Sequence, residues 1–213
     1  MQLFLLVLEL FNGRQICGST NRRQLPFSLE SDASIYGGCA VFGGHSYRVK
    51  WDTVHESADM CVLEARMVRL ALERWGRYLS GSVLWVIVDN QGVADLLSGG
   101  TVRRSPELQA EFVRIIILQL KYSIFCIPQW IASELNIIPD AGSRCYETDT
   151  TVAAKYEDIF NTRLAAWRRE HVMWRFCQPR VLRPEADCLW QQWCDLTDSL
   201  SPQAGAKRRF HNM

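Results

Sequence analysis

Residues 83–88, VLWVIV, form a short β-branched run without a polar position, and it stops abruptly at Asp89-Asn90. Such a run predicts a strand buried on both faces, which requires a parallel neighbour and covering helices. The flanking segments supply them. Residues 25–33, LPFSLESDA, are extended in character, and YGGCAVF and HSYRVKW follow as two β-rich runs around Gly43-Gly44. Both turn positions of a Gly-Gly pair accept positive φ, so a tight hairpin and three antiparallel strands are expected. From Ser57 to Tyr78, apolar residues recur at Met60, Leu63, Met67, Leu70 or Ala71, and Trp75, with Arg66, Arg69, Glu73, Arg74 and Arg77 available for solvent. This is the period of an amphipathic helix.

Downstream, GVADLLSGG predicts a short helix closed by glycines, and Ser105-Pro106-Glu107 opens another that runs to about Tyr122. IFCIPQWIA is expected as the last strand, its Pro128 suited to a sheet edge. Residues 152–177 are expected to be helical, with aromatics Tyr156, Phe160, Trp167 and Trp174, and SPQAGAKRRFHNM to be a loose tail. The order is β-β-β-α-β-α-α-β-α without an internal repeat. Trp51, Trp85 and Trp130 fall within strands and are expected in the core.

At 213 residues, 48% hydrophobic and 22% charged, the chain supports one good core with flanking elements and excludes a wholly disordered or collagen-like polymer. A net charge of +1 provides no global basic field, so a nucleic-acid partner would be held by local patches or through metal ions. None of the eight cysteines forms a CxxC pair or a zinc-type spacing, and Cys61 and Cys126 sit in apolar segments. Reduced thiols and an intracellular setting, cytoplasmic or nuclear, are expected. The opening MQLFLLVLELF lacks a basic leader, contains Glu9 and is too short to span a bilayer. No membrane partner is expected, and the segment is expected to be a strand or helix of a larger polypeptide.

Asp32 lies in or at the end of the first strand, Glu64 on the first long helix, Asp89 directly after the buried strand, and Asp140 after the last strand. The C-terminal ends of central parallel strands and the adjoining helix converge on one cleft in sheets of this kind. Any one of these acids alone is an ordinary turn, cap or solvated helix residue. Together they would raise one another's pKa and cost stability unless cations neutralise them. Mg2+ suits all-oxygen ligands, with Mn2+ as a substitute, and two ions about 3.5–4 Å apart activate water and stabilise the leaving oxygen in phosphodiester hydrolysis.

The pieces SDASIYGGCAVF, CVLEARMVRLALERW, VIVDNQGVADLLSGG, TVRRSPEL and WIASELNIIPDAGSR, in this order, resemble the ribonuclease H domain of reverse-transcribing elements. The likeness is strongest to DIRS-like and gypsy-like retrotransposon versions and covers about residues 25–145. It implies an α/β ribonuclease H-like fold, a five-stranded mixed sheet with helices on both faces, followed by a C-terminal helical extension. It implies catalytic and metal-ligand roles for Asp32, Glu64, Asp89 and Asp140, two Mg2+ ions, and cleavage of RNA in RNA/DNA hybrids during reverse transcription. Integrases and transposases of related fold carry two aspartates and a late glutamate, so the D, E, D, D order favours the ribonuclease. Residues 121–140 hold no histidine where cellular ribonucleases H commonly have one, and Glu134 is the stand-in.

The domain limits read from this pattern are a flanking segment over 1–24, the ribonuclease H-like domain over 25–145, and a helical extension with a loose tail over 146–213. An RNA/DNA hybrid would be gripped by its phosphates and its wide minor groove. Arg103 and Arg104, before a helix N-terminus, are candidate phosphate contacts, though a solvated basic turn has the same sequence. Ser34 and Asn90 are candidate ribose or backbone contacts, and would otherwise act as caps. The extension is expected to bind a partner, a reverse transcriptase domain or another protein. The rival reading is a catalytically inactive ribonuclease H-fold module that binds nucleic acid or protein.

Overall fold

A computed structural model describes residues 23–53, 59–99 and 105–171. All of them lie in the first of two units, Met1–Pro179, and the second, Arg180–Met213, lies outside the described residues. In chain order the elements are strands β1 (Arg23–Gln24), β2 (Leu29–Ala33), β3 (Gly37–Phe42) and β4 (His45–Lys50), then helix α1 (Met60–Leu79) and strand β5 (Ser82–Val88). Helices α2 (Gln91–Leu97) and α3 (Pro106–Tyr122), strand β6 (Phe125–Trp130), and helices α4 (Ile137–Arg144) and α5 (Thr150–Glu170) complete them.

The apolar run organises the sheet. One edge of β5 pairs in parallel with β6 from Val83↔Phe125 to Val88↔Trp130. Its other edge takes β2 in parallel at Leu29↔Val86 and Glu30↔Ile87 and, further back, β1 at Arg23↔Ser82. β1 and β2 are thus one interrupted strand: Gln24 to Leu29 advances five positions while Val83 to Val86 advances three. Pro26, which has no N–H to donate, sits in the interruption. β3 and β4 then add antiparallel. Counting β1 with β2, the result is the expected five-stranded mixed sheet, β4-β3-β2-β5-β6. Gly43 (φ 52°) and Gly44 (φ 78°) make the hairpin turn, a conformation that β-carbons disfavour.

Helix α1 starts at Asp59, whose carboxylate accepts from the Cys61 N–H, and packs on β2, β3 and α3. Its Leu63, Met67, Ala71 and Leu72 meet a sheet face whose Leu29, Leu84, Val86 and Val88 are fully buried. Each such leucine, valine or methionine contributes about 1.5–3 kcal/mol. α3 opens as expected, with Ser105 accepting from the Leu108 N–H and Pro106 in its first turn, and ends on left-handed Ser123 (φ 53°).

On the opposite face, α4 lies over β2 and β3, and α5 packs on α4. Cys39, Val41, Ala141, Phe160 and Leu164 form a buried cluster there, and a β-carbon on Gly142 would collide with Cys39. The expected extension therefore begins, at α5, against the sheet. Arg48 binds Glu157 at 2.6 and 3.2 Å, and Arg168 Nε donates to the Gly44 carbonyl at 2.8 Å. Trp174 and the tail expected after it lie outside the described residues.

Two expectations need correction. Trp51 is core, but Trp85 is 37% and Trp130 49% exposed. Along β5 the residues Ser82, Leu84, Val86 and Val88 are buried while Val83, Trp85 and Ile87 are less so. Trp85 lies on the face that α4 and α5 cover at β2 and β3 rather than at β5, whereas Trp130, in register with the buried Val88, is exposed at the end of the edge strand. Helix α4 was also unforeseen, because eight residues with Pro139 inside show no clear period; the proline is tolerated in the first turn, where no intrahelical N–H bond is lost. No helix among the described residues is long and apolar enough to cross a membrane.

Candidate active site

β2 and β5 are adjacent and parallel, so their C-terminal ends emerge at one edge of the sheet. β2 carries Asp32 there, Asp89 is the first residue beyond β5, and Glu64 projects from the second turn of α1. Carboxylate oxygens of these three residues all lie within 4.8 Å of one another. Asp32 is 6% and Glu64 7% exposed, and Asp89 is half-buried.

The described partners of this trio are neutral. Ser143 Oγ donates to Asp32 Oδ2 at 2.5 Å, Asn90 Nδ2 to Glu64 Oε1 at 3.1 Å, and Asn136 Nδ2 to Asp89 Oδ1 at 3.3 Å. None of the ion pairs among the described residues reaches any of the three acids. Burial accordingly pushes the Asp32 carboxyl up to about 7, opposed by the Ser143 bond and by the charge of Arg144 and aided by the charges of Asp89 and Asp140. Burial likewise pushes Glu64 up to about 8, with Asp32 and Asp89 adding and the Asn90 bond opposing.

A divalent cation fits this arrangement. Glu64 Oε2 is buried with no hydrogen-bond partner, in a set of hard oxygen donors none of which forms an ion pair among the described residues. An orphaned buried oxygen is costly, and a metal ion satisfies both its lone pairs and its charge.

Asp140, in the first turn of α4, stands beside the trio without belonging to it: its charge reaches Asp32, while its Oδ1 accepts from Arg144 Nε at 2.7 Å. The Ser34 hydroxyl is 9% exposed and donates to the Ser143 carbonyl at 2.9 Å, while accepting from the Tyr36 and Gly37 N–H groups. Asn90 caps α2 with its Oδ1, at 2.9 Å from the Gly92 N–H, while its Nδ2 holds Glu64. Its two ends thus link α2 to the acidic helix. Arg103 and Arg104 lie outside the described residues. Glu134 is exposed in the 3-10 turn Ser133–Leu135, one turn before α4.

Sequence reasoning overlooked Asn136, Ser143 and Cys61. The signal for the first two was local: they stand four residues before and three after Asp140, which on a helix is the same face as that acid. Cys61 Sγ lies 3.2 Å from Asn90 Oδ1, a contact that its apolar setting in the sequence did not suggest. Trp130, at the end of β6, donates its indole N–H to the Asp89 carbonyl at 3.0 Å and so stands at the rim of the same edge.

No protein-family model and no curated protein matches the chain. Among solved structures, the chain is similar to the N-terminal RNase H domain of rv2228c from Mycobacterium tuberculosis, determined as a fusion with maltose binding protein. The likeness has a TM-score of 0.44 at 13% identity and covers 66% of this chain and 96% of that one. The architecture itself is read from strand order and element succession: an antiparallel hairpin sheet, a covering helix, a central parallel strand, and a parallel edge strand followed by the short helix that carries Asp140. The site they build is an acidic cluster fit for a divalent ion at the carboxyl edge of a mixed sheet.

Proposed function

We propose that this chain is a divalent-metal-dependent endonuclease that hydrolyses the RNA strand of RNA/DNA hybrids, in the setting of retroelement reverse transcription. The observation that carries the reading is the convergence of Asp32, Glu64 and Asp89 within 4.8 Å, two of them buried and none with a cationic partner. Asp32, Glu64 and Asp89 would hold the ions, Mg2+ in the cell with Mn2+ as a substitute, and Asp140 would complete the set from α4. Such ions supply an activated water and neutralise charge on the scissile phosphate.

The chain's own residues do the rest. Ser143 and Asn90 each fix one oxygen of a carboxylate, which would leave the other for an ion. Glu134, exposed one turn before α4, would be the group to exchange a proton with solvent in place of a histidine. The retroelement setting comes from the five ordered motifs of the sequence.

The test is cleavage of a labelled RNA/DNA hybrid by the purified chain in Mg2+ or Mn2+, beside Asp89→Asn and an all-DNA duplex. Hybrid-specific cutting that falls by about 10³-fold or more in Asp89→Asn, on the order of 4 kcal/mol of barrier, supports the assignment. A folded chain that binds hybrid without cutting it would instead be an interaction module.

A further inference from the structure

We infer that Asn136 is a positioning residue that sets the geometry of the acidic cluster by joining the strands that present Asp32 and Asp89 to the turn that carries Asp140. It stands at the N-cap of α4, where an asparagine side chain ordinarily accepts from its own helix, yet it makes no such bond. The side chain turns to the sheet instead. Nδ2 donates one hydrogen to the Ser31 carbonyl at 3.0 Å, one residue before Asp32, and the other to Asp89 Oδ1 at 3.3 Å. The Asn136 backbone carbonyl accepts from the Asp140 N–H at 3.0 Å. One residue, 1% exposed, thereby ties β2 beside Asp32, the end of β5 at Asp89, and the turn that carries Asp140.

The amide orientation has a physical reason. A flipped side chain would aim Oδ1 at a carbonyl and a carboxylate, two acceptors, so only the present orientation serves both. Its cost is that Oδ1 is buried without a partner. A residue kept for helix capping alone would have no reason to bear that cost. The consequence for function is directional: with Oδ1 of Asp89 held by the amide, the other carboxylate oxygen has a set direction. Hydrogen-bonded supports of this kind typically change metal affinity by 10- to 100-fold when removed.

The inference rests on the reading of Asp32, Glu64 and Asp89 as a metal centre, and the experiment separates the two. The full chain, Asn136→Ala and Asn136→Ser are titrated calorimetrically with MnCl2, and their unfolding is followed without metal. Serine can cap α4 yet is too short to bridge Ser31 and Asp89, so it guards against loss of the fold. Both variants are expected to bind Mn2+ at least about 10-fold more weakly. Ile115→Val, a core change remote from the acids, is expected to lower stability slightly and leave Mn2+ affinity unchanged. Wild-type Mn2+ affinity in a cooperatively folding Asn136→Ser overturns the role of Asn136 alone. No Mn2+ binding by the unmodified chain overturns the metal centre, and this inference with it.

Discussion

The chain buries carboxylates in two different ways. Glu111, on α3 and 3% exposed, is met by Arg66 Nε at 3.2 Å and Arg69 Nε at 2.6 Å from α1, with Arg114 Nη1 at 3.6 Å. Asp32 and Glu64, almost as deeply buried, receive hydrogen bonds from a serine and an asparagine and no guanidinium. Taking a carboxylate out of water costs several kcal/mol unless a partner offsets it. Between α1 and α3 the fold supplies that partner three times over, and at the carboxyl edge of the sheet no guanidinium among the described residues pairs with Asp32, Glu64 or Asp89, Arg144 binding Asp140 instead. The difference separates a group that serves the fold from groups held in place against it.

The largest effect is expected where the pairing is complete. Glu111→Gln would leave Arg69, 14% exposed, without its buried counter-charge, and Arg66 and Arg114 with less of theirs. We expect a loss of about 2–4 kcal/mol in urea unfolding, at the low end of buried-pair disruption because two of the three arginines still reach solvent. A loss below about 1 kcal/mol would break the contrast from the structural side.

At the other cluster the sign reverses. Asp32→Asn keeps the shape and removes a buried charge, so without metal at pH 8 it should raise stability by about 1–2 kcal/mol, a few degrees in thermal unfolding. The pH dependence follows from the same shifts. Asp32 and Glu64 have folded values near 7 and 8, above their ordinary 3.8 and 4.5. Their contribution to stability is fully present below about pH 4 and is lost as pH rises through 7 to 8, because the folded state resists giving up those protons. The metal-free protein should therefore unfold more easily at pH 8 than at pH 5.5, and millimolar Mg2+ should restore most of the difference. A flat profile without metal would mean the acids are solvated, and would sink the idea of an unneutralised buried cluster.

How far these features were legible depends on the distance over which each is determined. The strand at 83–88, the Gly43-Gly44 turn and the α1 stripe are local patterns, and they reappear with shifts of one to three residues at their ends. The carriers of Asp32, Glu64 and Asp89 were legible for the same reason, since each acid sits at a recognisable element boundary or stripe edge. Arg66 and Arg69 were expected in solvent because no local rule reveals that α3 brings Glu111 against them. Trp85 was misplaced because a strand's apolar run does not say which half of a sheet face the later helices will cover, and Trp130 because the run does not show that it ends an edge strand. Asn136 and Ser143 act across more than one hundred positions, at separations of 105 from Ser31 and 111 from Asp32, and only the folded chain shows those contacts.

The smallest effect sharpens the comparison most. Arg69 also binds Glu73, one helical turn along α1, at 2.7 Å, and Glu73 is 37% exposed. Such an exposed i,i+4 pair contributes about 0.3–0.5 kcal/mol, screened further by salt. Glu73→Ala should therefore be nearly silent in the unmodified chain. In a Glu111→Gln background Arg69 has only Glu73 left among these carboxylates, and removing both should cost more than the sum of the separate losses, by at least about 0.5 kcal/mol. Strict additivity would mean that Glu111 holds Arg69 by packing rather than by charge, and the contrast with the unpaired acids would then rest on Asp32 and Glu64 alone.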